Sequence, residues 1–396
     1  MKILHINRDY GDNGGAEQYL RSLCDALEQG GHQTAVIYGR RDANTWNVPA
    51  RSRYFVPGIH EFSKRSDGRV LEDCLKIVRK ERPDIINLHI SFNPNLMLEI
   101  GRRWPVVQSI HSSHPYCLRS KFFQSTRTAC DLPLGYHCLT GAYLKRCADP
   151  RPWNLIRAWR RCNAEIQSSR TAGSLIVFSK YMKSCLVQNR IEENRVSVVP
   201  YFTGAGRGTG ANGESNDNII LYVGRITKEK GLDDLLRAVK EIKMSYQLLI
   251  VGDGWYSAKI KALAQQLDLA GRVRFTGWIS NNNLEEYYRT ASMLVIPSAW
   301  PEPFGIVGLE AMAHSKPVVA FDVGGIADWL DHQKTGFLVE PRNIGEMAGR
   351  IEQLLEDKEL AARMGFNGRK KVEQEFSASN HLENLMNIYR SAQGAN

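Results

Sequence analysis

The sequence predicts an α/β protein made of two doubly wound, parallel-sheet domains. Three observations predict it. Short apolar runs fit for buried strands alternate with helical stretches in both halves of the 396-residue chain, which is the pattern of parallel sheets covered by helices. That length suits two or three domains with substantial cores. A Gly-, Asn- and Ser-rich stretch over residues 203–217 separates the halves and reads as a flexible linker. It contains a G-x-G-x-x-A match at Gly206, Gly208 and Ala211, but no helix follows, so it is not a nucleotide loop. No short-period repeat occurs; the halves are two different copies of one architecture.

Charge is unevenly placed. The net charge is +10, and residues 1–200 carry 30 Lys and Arg against 18 Asp and Glu, whereas residues 201–396 carry 22 against 24. The excess lies mostly after residue 100, at Arg102, Arg103, Arg119, Lys121, Arg127, Lys145, Arg146, Arg157, Arg160 and Arg161. Such a face serves an anionic membrane surface, an acidic acceptor or nucleic acid, or simply solubility. No nucleic-acid motif accompanies it, so nucleic acid is excluded from the expected partners. No segment approaches the ~18 uninterrupted apolar residues of a membrane span. Met1 leads directly into a strand without a secretory h-region, and the expected compartment is the cytoplasm.

Taken in order, residues 2–6 form a strand, 9–15 a polar loop, and 16–29 a helix with Leu20, Leu23 and Leu27 on one side, stopped by Gly30-Gly31. Residues 34–38 are the next strand. Gly14-Gly15 at the helix mouth let a bulky ligand approach the backbone, though a plain strand–helix turn fits equally. Residues 84–90 and 106–110 are strands, and His111 follows the second. Cys117, Cys130, Cys138 and Cys147 then fall in a basic, irregular segment. They lack C-x-x-C pairing, so reduced thiols are the default and a structural zinc site the minority alternative. Residues 175–178 and 196–199 complete the first sheet.

In the second half, residues 218–223 form a strand followed by G-R-x-x-x-x-K-G, which carries Arg225 and Lys230, and a helix over 232–242. Strands follow at 247–251, 272–276 (ahead of Gly277-Trp278-Ile279), 293–297 and 317–321; residues 321–325 and 335–339 close the domain. A last helix spans 378–390. Between strands 293–297 and 317–321, Pro301, Pro303 and Gly305 break the chain and 306–313 is helical. That helix starts at a strand's carboxyl end, where open parallel sheets bind ligands. Its first amides, near Phe304, Gly305, Ile306 and Val307, make an anion site. Glu302 lies before it and Glu310 two turns in, about 12 Å along a helix. That is wider than the ~5–9.5 Å of paired glycosidase carboxylates. They fit two ends of an extended ligand, or an ordinary helix.

The segment E-P-F-G-I-V-G-L-E-A-M, residues 302–312, resembles the E-x7-E signature of retaining glycosyltransferases of the GT-B fold, and most closely glycosyltransferase family 4. The order of elements matches over nearly the whole chain. The resemblance implies two Rossmann-like domains facing a cleft: residues 1–202 on the acceptor side, with 376–396 packing back on them, linker 203–217, and donor domain 218–375. It implies that Gly15, Arg225, Lys230 and the amides at 304–307 meet the donor diphosphate, Glu310 the ribose, backbone near Trp278 and Ile279 the base, and Glu302 and His111 the sugar. The family often has Asp after the His; here Ser112 stands there. Some members carry a similar Cys-containing insertion. The donor is expected to be a UDP- or GDP-sugar and the acceptor a sugar or lipid-linked glycan, with possible peripheral contact with an anionic membrane. No Asp-x-Asp occurs, so no catalytic metal or other cofactor is expected. The alternatives are another GT-B enzyme, such as an epimerase or phosphorylase, and a non-catalytic sugar-nucleotide-binding partner.

Overall fold

The computed structural model describes residues 1–10, 14–41, 50–59, 67–89, 94–113, 116–119, 121–204 and 218–394. Most of the expected linker, 205–217, and the last residue of the expected strand over 84–90 lie outside the described residues. Contacts divide the chain into two compact units, one of Met1–Thr126, Cys130–Tyr201 and Ala378–Asn396, the other of Arg127–Ala129 and Phe202–Ser377.

Over the first 201 residues the elements are β1 (Lys2–Tyr10), α1 (Gly15–Gln29), β2 (Gln33–Arg41), β3 (Ser52–Phe55), α2 (Asp67–Glu81), β4 (Ile85–His89), α3 (Pro94–Gly101), β5 (Val106–Ser109), β6 (Phe122–Phe123), β7 (Thr128–Ala129), α4 (His137–Leu144), α5 (Pro152–Thr171), β8 (Ser174–Val177), α6 (Lys180–Gln188) and β9 (Val196–Val198), and all but β7 belong to the first unit. Its sheet has the order β3-β2-β1-β4-β5-β8-β9, and every neighbouring pair is parallel. Strand side chains alternate between two helical layers, as period-2 geometry demands. Leu4, Ile6, Ala35, Ile37, Ile86 and Leu88 meet Val70, Cys74 and Val78 of α2 and Leu96 and Ile100 of α3. Val36 meets Leu20 and Cys24 of α1 on the other face. Every residue of β4 is buried, the polar Asn87 and His89 included, as befits a central strand covered on both faces.

The second unit runs β10 (Ile219–Val223), α7 (Leu232–Glu241), β11 (Gln247–Val251), α8 (Ser257–Gln266), β12 (Val273–Gly277), α9 (Asn281–Thr290), β13 (Met293–Ile296), α10 (Ile306–Ala313), β14 (Val318–Phe321), β15 (Gly336–Val339), α11 (Ile344–Glu356) and α12 (Lys358–Glu375). The sheet order is β12-β11-β10-β13-β14-β15, again all parallel. The last helix, α13 (Ala378–Gly394), belongs to the first unit, where the Asn87 amide donates to the Tyr389 hydroxyl at 2.6 Å.

Three boundaries differ from the sequence expectation. β1 and β2 pair onward as far as Tyr10 and Arg41, so both strands outrun their apolar stretches. The stretch 321–325 is not strand beyond Phe321; Gly324 turns there at φ +60°. The segment around the four cysteines is not wholly irregular, because it holds the β6–β7 pair and α4. Strands of two residues leave no alternation to read. Among the described residues no helix is long and apolar enough to cross a membrane.

Candidate functional site

Each sheet starts in its middle, and the strand order reverses beside the first strand. The reversal falls between β10 and β13 in the second unit and between β1 and β4 in the first. In open parallel sheets the crevice at the strands' carboxyl ends beside that reversal is where ligands bind.

In the second unit the loops after β10 and β13 flank this crevice and are tied together. Ala299 N–H donates to the Glu229 carbonyl at 3.2 Å. Gly231, at φ +70°, caps the start of α7 with its Cα against the Pro297 carbonyl; a β-carbon there would collide with that oxygen. Lys230 Nζ lies 2.6 Å from Glu302 Oε1 and over the Trp300 ring, 5.3 Å from its centre. The Ser298 hydroxyl donates to the same oxygen. Glu302 is buried, and its Oε2 takes no hydrogen bond among the described residues. A buried carboxylate with one oxygen anchored and one unengaged is placed to accept from a ligand hydroxyl. Arg225 stands exposed on the β10 loop; its carbonyl accepts from the Tyr222 hydroxyl at 3.0 Å.

α10 begins where expected. Gly305, at φ +86°, caps it, and Gly308 N–H returns to the Gly305 carbonyl at 2.9 Å. The amides of Ile306 and Val307 thus precede the intrahelical ladder and carry the positive end of the helix dipole. Phe304 is buried, and its carbonyl accepts from Trp329 Nε1 at 2.6 Å. The outer edge of the Trp329 ring lies behind Gly308, leaving no room for a β-carbon. Sequence reasoning missed Trp329 and Ser298, which hold this turn from behind and below.

Glu310 occupies a separate network, so the two carboxylates do not share one contact. It is buried, with Oε2 accepting from the Tyr288 hydroxyl at 2.6 Å. His314 stacks on Tyr288 and bonds the Glu310 carbonyl through Nδ1 at 2.8 Å. Burial, and then the Glu310 charge, push the Tyr288 hydroxyl well above its ordinary pKa, so it remains a donor. Trp278 is exposed and Ile279 half-buried just beyond β12, the strand at the sheet's edge.

In the first unit Gly15 opens α1 and is exposed. His111 follows β5 and is buried. Both its ring nitrogens are engaged: Nε2 with His89 Nδ1 at 3.0 Å and Nδ1 with the Tyr201 hydroxyl at 2.6 Å. His89 Nε2 continues to His5 Nδ1 at 2.9 Å, and His5 Nε2 is buried without a partner among the described residues. Burial lowers His5 and His111 to about 3 and His89 well below its ordinary value, so all three rings are neutral. Each then carries one proton, and the tautomer of one dictates the others. Nothing in the sequence signals this chain beyond three histidines within or just after strands; His5 and His89 are absent from the expected site.

Cys117, Cys130, Cys138 and Cys147 are free thiols lining one apolar cavity of about 160 Å³ with Phe122, Leu132 and Leu144. Burial raises the Cys147 thiol to about 11 and raises Cys130 and Cys138 as well. Among the described residues no three His, Cys, Asp or Glu side chains are placed to hold a metal ion.

Comparison with known proteins bears on both units. A model of Glycosyltransferase Family 4 matches residues 13–202, and one of Glycosyl transferases group 1 matches residues 210–371. An uncharacterized glycosyltransferase of Methanocaldococcus jannaschii is 34% identical over 181 residues, 45% of this chain and 46% of that protein; the chain thus spans about half that relative's length. The lipopolysaccharide core biosynthesis glycosyltransferase LpsE of Rhizobium meliloti is 25% identical over 386 residues, 95% of each chain. Among solved structures, sucrose-phosphate synthase from Thermosynechococcus elongatus superposes with a TM-score of 0.77 at 23% identity over 100% of both chains, a likeness of fold. With a family 4 first half and a group 1 second half on two parallel-sheet α/β units, the chain belongs to the group 1 glycosyltransferases of the GT-B fold.

Proposed function

We propose that this protein transfers a sugar from a UDP- or GDP-sugar to an acceptor glycan in polysaccharide or glycoconjugate biosynthesis, with retention at the anomeric carbon. The observation that carries the reading is the Lys230–Glu302 pair at the strand-order reversal, directly before the start of α10. A cation, unpaired helix amides and an acceptor oxygen converge there, which suits a leaving diphosphate beside a hydroxyl-bearing ring. Arg225, Lys230 and the amides of Gly305, Ile306 and Val307 hold the diphosphate. Glu310 takes the ribose hydroxyls, and backbone near Trp278 and Ile279 takes the base. Glu302 Oε2 takes a sugar hydroxyl. His111 is free to bond a hydroxyl only by exchanging its bond to His89 or Tyr201.

No side chain is assigned behind the anomeric carbon. The acceptor hydroxyl therefore attacks on the face that the diphosphate leaves. The bond from C1 to the phosphate oxygen breaks, the bond from C1 to the acceptor oxygen forms, and the acceptor proton passes to the departing phosphate. Proton NMR of the product from an α-linked donor is expected to show an α-linkage; a β-linkage sinks the reading. The same assay is expected to keep its rate in the presence of a chelator, and a loss restored by Mg²⁺ or Mn²⁺ refutes metal independence.

The diphosphate assignment has its own test. Arg225→Ala and Lys230→Ala are each expected to weaken nucleoside diphosphate binding about 10- to 100-fold, the scale of one charge-assisted bond of ~1.5–3 kcal/mol. Nucleoside binding should change little. Calorimetric titration of both ligands decides it, and equal losses for the two would remove these cations from the phosphates.

A further inference from the structure

We propose that the α4–α5 face of the first unit docks on an anionic lipid surface. Ten large apolar side chains are exposed among the described residues, and six of them fall within residues 132–156. Tyr136 is 81% exposed, Leu144 80% and Trp153 80%. A folded surface rarely leaves so many together unless something covers them.

The helical geometry explains which side chains are left outside. Leu155 and Cys162 of α5 pack with Leu118, Ala142 and Ala148 in one small core, with Trp159 and Leu139 against it. That turns Trp153, Ile156, Arg157 and Arg160 outward at spacings of three, four and seven residues, along one stripe. On α4, Ala142 points into the same core, and Thr140, Tyr143 and Leu144 are exposed. Both helices thus turn one side to the same core and leave Tyr143 and Leu144 of α4 and Trp153 and Ile156 of α5 outside it.

The chemistry of that surface selects the occupant. Residues 132–164 carry Lys145, Arg146, Arg151, Arg157, Arg160 and Arg161 against the single acid Asp149, which is held by Arg151. Lys145, Arg146, Arg157 and Arg160 are exposed and make no ion pair among the described residues. Tyr and Trp beside Lys and Arg, with Leu and Ile among them, suit the boundary between anionic headgroups and acyl chains. Nucleic acid would offer Leu144 and Ile156 nothing to stack on. The apolar cavity of about 160 Å³ includes the exposed Leu132 and Leu144 in its lining, so it opens on this face and continues the apolar surface inward.

The proposal does not depend on the transfer reaction, and its test does not read it. The full chain is floated with vesicles of phosphatidylglycerol and phosphatidylcholine, and with phosphatidylcholine alone, at low and high salt. Binding is expected to the anionic vesicles, weaker by about tenfold or more at high salt. The double variant Leu144→Ser, Trp153→Ser is expected to lose most binding even at low salt. Arg157→Gln, Arg160→Gln is expected to lose the preference for anionic lipid. All four positions are exposed, and thermal melts near wild type are expected to confirm the folds. No flotation of the wild type, or flotation of both variants as strong as the wild type's, overturns the proposal. So does a dimer in light scattering that Trp153→Ser dissolves while vesicles bind nothing, because a second copy of the chain would then be the occupant.

Discussion

Glu302→Gln is expected to lower turnover about 100- to 1,000-fold while leaving nucleoside diphosphate affinity within a few-fold. The substitution keeps the side chain's size and an acceptor for Ser298, so the loop before α10 stays in place. It removes the negative charge that faces Lys230 and the acceptor that would gain strength as positive charge develops on the sugar ring. An interaction that strengthens towards the transition state is worth ~2.7–4 kcal/mol when lost. The diphosphate, by contrast, meets cations and amides, and Lys230 released from Glu302 binds it no worse. Steady-state kinetics with a parallel diphosphate titration separate the two effects. Turnover near wild type, or affinity and turnover falling together, places Glu302 outside the reacting sugar's surroundings.

Acid is expected to unfold the first unit at a pH where most of its carboxylates are still charged. His5, His89, His111 and His381 are all buried, and burial depresses all four, His381 to about 4. In the unfolded chain each takes a proton near pH 6.5. Between there and the depressed folded values, the unfolded state binds more protons than the folded one. Stability therefore falls as pH falls through that window, by about 1.4 kcal/mol per pH unit for each such group. Four together approach about 5.6 kcal/mol per unit, comparable with the whole stability of a domain. Amide exchange of β1, β4 and β5 measured between pH 7 and 5 is the check. Protection that does not change over that range refutes the neutral, buried chain.

The parts of the site that are local in sequence were legible, and the parts made by distant pairing were not. Strands β10, β11, β13 and β14 announce themselves as short apolar runs, and the Pro and Gly residues between 301 and 305 mark the start of α10. The loop bearing Arg225 and Lys230 is visible because a strand, a glycine and a helix bracket it. Ser298 and Tyr288 carry no such signal; a serine or tyrosine becomes a carboxylate partner only when the chain folds. Trp329 reads as one more aromatic until its ring is seen behind Gly308. The histidine chain links residues 5, 89 and 111 across three strands, a register that no single-strand pattern encodes. It also alters what His111 offers, since a lone imidazole has a free nitrogen and this one has none.

The return of α13 to the first unit sets an order of events during synthesis. Tyr389 bonds Asn87 on β4, and His381 accepts the Tyr19 hydroxyl at 2.9 Å while its other nitrogen meets the Pro200 carbonyl. The ribosome must make residues 202–377 between the first unit's main body and these partners. At about 5–20 residues per second that interval lasts on the order of ten seconds or more. Until α13 is made, the Tyr19–His381 and Asn87–Tyr389 bonds cannot form, and by then the whole sequence of the second unit has been translated. The half that is translated first thus makes its last contacts after the second unit's sequence is complete, and a chain ending before residue 378 is expected to lack the Tyr19–His381 and Asn87–Tyr389 bonds.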